Sequence, residues 1–527
     1  MATELAFGSV PPFYREVYDI VCPTQESEID RDMFIRMLLK SNLPRQTLSE
    51  IWDHIDTKHG FLTRNGLYKA LALAALAQQG KTISEKLLEN FSTQELPIPS
   101  LGDLNALKTL SVQVRREKNP TVLGYTYPEL CELDSISVEL AAEKKGLVFK
   151  HVEYEVKSEK HKTTVLRRYN DFLAFHELLL VRFPYRMVPR LPPKHFMNSD
   201  DAFLEDRRRA LKRFVMLVVR HPVLCSDVLT TFFITFNGSD VQYKIKEQYR
   251  NIPDEFVTSQ LAGRTKELVL GNTQMEYSNA REQIRLLRQA VCRMKDIAQR
   301  MAERSARHAN DLSMFGNELS SLSSDTSAVS RWACGNIDNL TSLRRSFRHL
   351  PKEFSALTEK LNQQAIREEE GVVEKLNLFK DLLSAYKDLC ERLEKGVMND
   401  HQRAIAKLGS YKKQVMKSTI KGAEGGDMDR LESKIIEQES EISSIENRNY
   451  FSLHCVHMET QLAHANVEIL SNLIHTMVSV QIRGHSELAQ LWEQVRPMVE
   501  NMLPLSRPGS PTSPLPSPTG DANGRMP

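Results

Sequence analysis

The sequence Arg167-Arg168-Tyr169-Asn170-Asp171-Phe172 ends a segment in which apolar and polar residues alternate. Alternation with a period of two is typical of a strand with one buried face. Two similar segments precede it, and the apolar positions of the three are Val138 and Leu140, then Val152, Tyr154 and Val156, then Thr164 and Leu166. The pattern predicts three strands of an antiparallel sheet, followed by helices over about 171–182 and 200–220.

Basic residues cluster around this predicted strand end. Neighbouring strand residues point to opposite faces, so one of Arg167 and Arg168 can face a pocket and the other can face solvent. Tyr169 offers a flat face to a sugar-like ring, and Lys194 follows the extended wall Leu191-Pro192-Pro193. The helix that follows carries Arg207, Arg208, Arg209, Lys212 and Arg213. A guanidinium matches a phosphate through two parallel hydrogen bonds, so the cluster predicts a ligand with separated phosphates and hydroxyls.

In this order and spacing, the residues over about 134–240 resemble the PX (phox homology) domain, the phosphoinositide-binding domain of sorting nexins. The resemblance implies that Arg168 binds the 3-phosphate and that Tyr169 lies under the inositol ring. By strand alternation, Arg167 should then face away from the pocket. The resemblance also implies that Lys194 binds the 1-phosphate and Arg207 the 4- and 5-hydroxyls. Phosphatidylinositol 3-phosphate is therefore the expected ligand. Taken singly, Arg-Arg-Tyr is usually solvated surface and Pro-Pro-Lys is usually a loop.

Two segments near this domain are candidate membrane contacts. Phe196 and Met197 resemble the PX loop that enters the bilayer, although an ordinary hydrophobic anchor within the domain is an alternative. Residues 243–273 are interpreted as a linker. Within it, Arg264 and Lys266 are interspersed with the apolar residues Leu261, Leu268, Val269 and Leu270. They are compatible with an amphipathic helix in the membrane interface or with a plain connecting helix.

Apolar residues spaced alternately by three and four recur through the C-terminal half. They form three seams: Ile284, Leu287, Val291, Met294, Ala298, Met301, Leu312, Phe315, Leu319 and Leu322; Leu376, Phe379, Leu383, Tyr386, Cys390, Leu393 and Val397; and Leu453, Val456, Thr460, Ala463, Val467, Leu470, Ile474 and Met477. This spacing predicts three long helices in left-handed coiled-coil packing. Pro351 predicts a break or the start of a new helix. A monomeric bundle or a spectrin-like rod would show the same periodicity.

A basic stretch precedes the predicted turn at 422–426. It consists of Arg403, Lys407, Lys412, Lys413, Lys417 and Lys421, with no acidic residue among them. A PX domain followed by long helices resembles the PX-BAR class of sorting nexins, whose helices form a banana-shaped homodimer that binds membrane through its concave face and tips. The resemblance implies that this stretch is a membrane-binding BAR tip. The alternative is an ordinary solvated helix face.

The N-terminal region shows short amphipathic helices. Its segments Leu38-Leu39-Lys40-Ser41-Asn42-Leu43-Pro44 and Leu48-Ser49-Glu50-Ile51-Trp52 resemble an EH (Eps15 homology) domain, a pair of EF-hands that binds Asn-Pro-Phe peptides. Matching positions would place Leu38, Leu48 and Trp52 around the peptide pocket. The loop 56–62 has Lys and Gly where calcium ligands belong, so we expect no metal. Alternatively, Trp52 is only part of the core of a degenerate helical domain.

Composition excludes several classes of function. Seventy basic residues against 68 acidic ones give a net charge of +2, and the basic cluster is confined to one hairpin, so nucleic-acid binding is disfavoured. The G-x-S-x-G, G-x-G-x-x-G and H-E-x-x-H patterns are absent, so we expect neither an enzyme nor a cofactor. Seven cysteines without a C-x-x-C pair indicate reduced thiols in the cytosol.

The predicted fold class is α+β multidomain and mostly helical. The predicted domains are a degenerate EH-like helical domain (1–95), a linker (96–133), a small antiparallel-sheet PX domain (134–242), a linker (243–273), a three-helix BAR coiled-coil bundle (274–502) and a disordered Ser/Pro-rich tail (503–527). The predicted function is endosomal cargo sorting by a non-enzymatic, curvature-sensing or curvature-inducing protein. It would lie on the cytosolic face of early endosomes, as a homodimer or higher oligomer on tubules. The alternative is a phosphoinositide-binding scaffold that dimerises without remodelling membrane.

Overall fold

A computed structural model describes residues 10–23, 28–55, 62–84, 87–88, 94–141, 152–194, 201–269, 271–324, 337–420, 425–500 and 502. The chain divides into two compact units, one formed by residues 1–292 with 377–471 and the other by 293–376 with 472–527. Within the described ranges, no helix is long and apolar enough to cross a membrane.

The N-terminal region is helical, as the sequence predicts. Its helices are α1 (Pro12–Val21), α2 (Arg31–Leu39), α3 (Arg45–His54), α4 (Arg64–Gln78), α5 (Leu104–Lys118) and α6 (Tyr127–Glu132). Side-chain caps begin α2 and α4: Asp30 accepts from the Met33 amide at 2.9 Å, and Thr63 accepts from the Gly66 amide at 3.2 Å. The apolar face of α4 is buried in a core shared with α1, α2 and α5.

The interpretation of residues 96–133 as a linker is wrong where α5 and α6 form. Leu107 and Val114 of α5 lie in the N-terminal core. Ser111 lies on the same face, and its hydroxyl donates to the Ile20 carbonyl at 2.7 Å. A buried serine weakens the apolar periodicity of the segment, which is why the sequence pattern did not reveal a packed helix.

The prediction of a three-stranded antiparallel sheet is confirmed. Strands β1 (Ile136–Leu140), β2 (Glu153–Ser158) and β3 (Thr163–Arg168) pair in the order β1-β2-β3. The helices that follow are α7 (Tyr169–Arg182), α8 (Asp201–Val219), α9 (Val228–Thr235) and α10 (Val241–Tyr249). Apolar residues of the sheet and of all four helices form one buried core. The strand end that carries Arg168 therefore rests on a packed domain.

The helical prediction for the C-terminal half is also confirmed within the described residues. Two four-residue helices, α11 (Glu255–Thr258) and α12 (Thr265–Leu268), come first. The longer helices are α13 (Thr273–Ser323), α14 (Ile337–Phe347), α15 (Leu350–Glu368), α16 (Glu374–Leu393), α17 (Asn399–Ile420), α18 (Gly425–Ala465) and α19 (Ile469–Glu500). Short π-helical turns join α15 to α16 and α16 to α17. Pro351 lies in the first turn of α15, where proline is tolerated.

The predicted seams are only partly continuous. In the second seam, the six apolar seam positions from Leu376 to Leu393 are all buried. In the third seam, a 3₁₀ turn at Asn466–Glu468 shifts the helical phase. Beyond that turn Ile469 and Leu473 are buried, whereas the predicted seam residue Ile474 is exposed. The tighter turn changes which face of the helix is apolar, and a fixed three-four spacing cannot represent that change.

Candidate functional site

Arg168 lies at the junction of β3 and α7, on a fixed backbone. Its amide donates to Asp171 Oδ2 at 2.7 Å, so the carboxylate of Asp171 caps the first turn of α7. In the strand register Arg168 is paired with Glu153 of β2. Arg168 Nε lies 3.0 Å from Glu153 Oε1, and the Arg168 side chain is 50% exposed. The guanidinium is therefore held on one edge and accessible on the other.

Arg167 occupies the opposite face of β3, as strand alternation predicts, but the expectation that it faces solvent is wrong. It is only 1% exposed. Its guanidinium donates to the Phe233 carbonyl at 2.7 and 2.9 Å and to the Phe236 carbonyl at 2.6 Å. These carbonyls lie at the C-terminal end of α9, where a cation is favourable. Burial lowers the pKa of Arg167 to about 10.

The proline wall is tied to the strand end. The Tyr169 hydroxyl donates to the Pro192 carbonyl, and Leu191 packs against the domain core. Lys194 follows two residues later on the exposed end of this wall. Of the predicted bilayer residues, Phe196 and Met197 lie outside the described residues.

Arg207 approaches the same tyrosine from α8. Its guanidinium carbon lies 5.0 Å from the centre of the Tyr169 ring and 4.4 Å from that of Phe203. Burial raises the pKa of Tyr169, and the positive charge of Arg207 opposes this shift. Arg207 Nε and Nη2 are shielded from solvent and have no hydrogen-bond partner among the described residues. Donors in that state indicate a ligand or water position, because unpaired buried polar groups are costly.

Three other cations of α8 pair with protein groups, so the expectation that they converge on the ligand is wrong. Arg208 donates to the Val138 carbonyl at 2.7 Å, and both Arg208 and Arg209 pair with Glu205. The hydrogen bond from Arg208 is the main cause that lowers the pKa of Glu205, to about 2. Arg213 Nε lies 2.7 Å from Asp381 Oδ2 of α16. Three of the four residues predicted for the headgroup, Arg168, Tyr169 and Arg207, thus lie around one strand end.

Acidic residues of the neighbouring helix α18 pair with some of the basic residues of α17 and not with others. Lys412 Nζ lies 2.9 Å from Glu439 Oε1, and Lys407 Nζ lies 3.9 Å from Glu441 Oε2. Arg403 pairs with Asp400 of its own helix at 3.5 Å. Lys421 lies outside the described residues. Residues 403–421 contain no acid, but the stretch is not free of acidic partners, because Asp400 of α17 and Glu439 and Glu441 of α18 pair with it.

Lys413 and Lys417 differ from these three cations. Both are exposed, and no acidic side chain among the described residues lies within ion-pair distance of either. They therefore keep their charges available to an external partner.

The predicted peptide residues lie on the N-terminal core. Leu38 is buried, whereas Leu48 and Trp52 are half-buried and packed against the core. The Trp52 ring centre lies 5.6 Å from that of Phe34, and Arg31 lies over it at 5.1 Å. Most of the degenerate loop 56–62 lies outside the described residues. Among the residues that are described, no group of three or more His, Cys, Asp or Glu side chains could hold a metal.

Sequence analysis missed a buried polar network that joins the sheet domain to α18. Glu459 of α18 accepts from Arg186 Nη1 at 3.1 Å and from the Met187 amide at 3.1 Å. His221 Nε2 lies 2.9 Å from Glu459 Oε2. The Val223 amide donates to His221 Nδ1, so Nε2 must carry the proton and donate to the carboxylate.

The charge of Glu459 is balanced by the sheet domain. Burial alone would raise its pKa, but His221 and Arg186 outweigh burial and lower it. Arg186 is also paired with Glu255, at 2.6 Å. The only signal in the sequence is a charged residue inside the apolar segment Phe183–Val188, and it does not identify a partner more than 200 positions away.

Comparison with known proteins agrees with this architecture. Residues 155–237 match the PX domain family, and residues 251–506 match the sorting nexin 8/Mvp1 BAR domain family. The chain is 47% identical to mouse (Mus musculus) sorting nexin-8, over 76% of this chain and 87% of that protein. It is 46% identical to human (Homo sapiens) sorting nexin-8, over 76% of this chain and 86% of that protein.

A solved structure supports the fold. The structure described as "The cryo-EM structure of the SNX-BAR Mvp1 tetramer" is 23% identical, with a TM-score of 0.54 over 68% of this chain and 99% of that one. Fold and matches together define a protein with a PX module followed by a BAR module. The chain belongs to the sorting nexin family, among the relatives of sorting nexin-8. The sequence-based identification is thereby confirmed, and neither matching family is catalytic.

Proposed function

We propose that this sorting nexin binds phosphatidylinositol 3-phosphate on the cytosolic face of early endosomes. In this proposal its helical half forms a homodimer or higher oligomer that senses or induces membrane curvature. The consequence is tubule-mediated retrograde or recycling transport of cargo. The proposed domain bounds are those predicted from the sequence, with two exceptions: α5 belongs with the N-terminal helices, and α10, which the sequence assigned mostly to the linker 243–273, belongs with the sheet domain.

The headgroup assignment rests on two arginines near the same strand end. One has an accessible guanidinium, and the other has buried donors without hydrogen-bond partners among the described residues. Arg168 has one edge held by Glu153 and the other exposed. Arg207 lies over Tyr169 with two shielded donors that lack partners. An inositol ring on Tyr169 would bring a phosphate to Arg168 and ring hydroxyls to Arg207. Lys194 would then bind the phosphodiester from the wall.

The geometry also supports a singly phosphorylated ring. Arg208, Arg209 and Arg213 are occupied by protein partners. Of the five arginines on β3 and α8 discussed above besides Arg167, Arg168 and Arg207 are the two left to bind the ring. Glu153 adds a negative charge next to Arg168, which disfavours a second phosphate there by like-charge repulsion.

Vesicle co-sedimentation tests this proposal directly. Full-length protein is compared on vesicles that contain phosphatidylinositol, its 3-phosphate, its 4-phosphate or its 3,5-bisphosphate. We expect selective binding to the 3-phosphate lipid and a loss of roughly 100-fold in Arg168→Ala, since a bidentate charge-assisted contact contributes about 3 kcal/mol. Lys157→Ala removes the same charge from an exposed site on the same sheet and serves as the matched control. Undiminished binding of Arg168→Ala would refute the pocket.

Electron microscopy of the same vesicles tests the curvature proposal. We expect the wild-type protein to draw vesicles that contain the 3-phosphate lipid into tubules. Tight binding without tubules would favour the scaffold that dimerises but does not remodel membrane.

A further inference from the structure

The outer face of α17 carries a stripe of alternating cationic and apolar side chains. Lys413, Met416, Lys417 and Ile420 follow the spacing i, i+3, i+4 and i+7, so they lie along one side of the helix. Met416 is 69% exposed and Ile420 is 80% exposed. We call these four residues the tip stripe. Single exposed apolar residues are ordinary, but two on successive turns, flanked by lysines, make an amphipathic surface.

The two helices of the α17–α18 hairpin carry opposite charges. From 403 to 420, α17 has five basic and no acidic residues. From 429 to 446, α18 has six acidic residues against two basic ones. Lys407 and Lys412 pair across the hairpin with Glu441 and Glu439. An anionic surface is therefore repelled by α18 and attracted to the side of α17 that bears the tip stripe.

The chemistry of the tip stripe fits a lipid bilayer better than free solvent. Exposed methionine and isoleucine gain free energy when they leave water, roughly in proportion to the apolar area that is buried. Lysine side chains can extend along apolar surface and keep their ammonium groups at the level of lipid phosphates. Lys413 and Lys417 can take that role because, among the described residues, neither lies within ion-pair distance of an acidic side chain, whereas Lys407 and Lys412 pair with Glu441 and Glu439.

We propose that the tip stripe inserts Met416 and Ile420 into the headgroup–acyl boundary of an anionic membrane, with Lys413 and Lys417 bound to lipid phosphates. This inference rests on the membrane-binding part of the proposed function but not on the headgroup pocket. The inserted Met416 and Ile420 add an apolar wedge to the membrane contact of α17, which the sequence attributes to its basic residues alone. A wedge in the cytosolic leaflet would itself favour positive curvature.

The decisive experiment uses full-length protein and vesicles of phosphatidylcholine and phosphatidylserine in equal proportion, with no phosphoinositide. The test variant is Met416→Ser with Ile420→Ser, which removes apolar area without changing charge. The control is Ile436→Ser, because Ile436 is 68% exposed on the acidic helix α18. We expect the test variant to bind about tenfold more weakly than wild type and the control to bind like wild type. Equal binding of the two variants overturns the proposal.

Two further measurements separate insertion from other causes. Tryptophan placed by Ile420→Trp should be quenched by lipids brominated on the acyl chains, whereas tryptophan placed by Ile436→Trp should not. Equal quenching at the two positions contradicts insertion. Sedimentation without vesicles should give the same oligomer for wild type and for the double serine variant. Dissociation of the variant would show that the tip stripe contacts another copy of the chain. Because these vesicles lack phosphoinositide, a failure of the headgroup pocket leaves these results unaffected.

Discussion

The headgroup pocket and the tip stripe both expose cations, but the protein holds those cations in different ways. In the pocket, Arg168 is fixed by Glu153 and Arg207 by two aromatic rings. At the tip, Lys413 and Lys417 have no ion-pair partner among the described residues and lie on a helix face that also exposes apolar side chains. Fixed donors suit one headgroup geometry, whereas free ammonium groups suit any anionic surface. In the proposed function, the first region provides selectivity and the second provides general membrane affinity.

The largest expected effect tests whether the two arginines of the strand end have separate roles. Arg167→Met leaves the carbonyls of Phe233 and Phe236 without their donors, and we expect the free energy of unfolding of the sheet domain to fall by about 4 kcal/mol. Arg168→Met should leave it nearly unchanged. Hydrogen exchange of the β2 and β3 amides in the full-length protein measures the difference. Equal protection in both variants would contradict the assignment of Arg167 to the core.

The next effect concerns the network that joins the pocket's domain to α18. Glu459→Gln removes the charge that pairs with Arg186 and His221, and we expect a loss of about 3 kcal/mol near neutral pH. Because the folded state lowers the pKa of Glu459 below its ordinary 4.5, the stabilisation is present above that pH. It is lost as the pH falls through the folded-state pKa. Denaturant unfolding at a series of pH values should show the wild type and the variant converging in acid. A gap that persists in acid would contradict the role of this charge.

A third prediction sharpens the description of the pocket itself. Arg207→Met removes the two shielded donors, and we expect the affinity for the 3-phosphate headgroup to fall by about 2 kcal/mol. Lys212→Met is the matched control, since it makes the same change one turn further along α8. Calorimetric titration with a short-chain soluble lipid reports the headgroup affinity without any contribution from the bilayer. A similar loss in both variants would mean that only the general charge of α8 matters.

The smallest expected effect separates two neighbouring lysines of the tip. Lys413→Ala should weaken binding to vesicles rich in phosphatidylserine by about 1 kcal/mol, the usual contribution of one basic residue at such a surface. Lys412→Ala should weaken it less, because Glu439 already neutralises that lysine. Co-sedimentation at low ionic strength compares them. Identical losses would show that the ion pair with Glu439 does not persist at a membrane.

The grouping of Arg168, Tyr169 and Arg207 at one strand end could be predicted from sequence because these residues occur in short, ordered motifs. Strand alternation correctly separated Arg167 from Arg168. It could not show that the face opposite the pocket is covered by the end of α9, some 66 positions away. The same limit explains Arg208, Arg209 and Arg213, whose partners are set by packing and not by neighbouring sequence.

The tip illustrates the limit of counting charges along one segment. The positive charge counted along α17 is correct. However, Glu439 and Glu441 pair with its lysines because α18 folds back alongside α17, and the count along one segment does not include them. Ser111 and the 3₁₀ turn at 466–468 show a second limit. There a local departure from periodicity concealed or shifted the buried face of a helix. Long-range pairing, rather than local propensity, therefore accounts for most of the corrections.

The central claim is that the pocket and the tip stripe act together on one membrane. The most direct measurement is the affinity of the wild-type protein for three vesicle types: those with the 3-phosphate lipid alone, those with phosphatidylserine alone, and those with both. Two linked sites that engage together should bind the mixed vesicles at least 100-fold more tightly than either single type. An affinity for mixed vesicles no greater than that for the better single type would contradict the account.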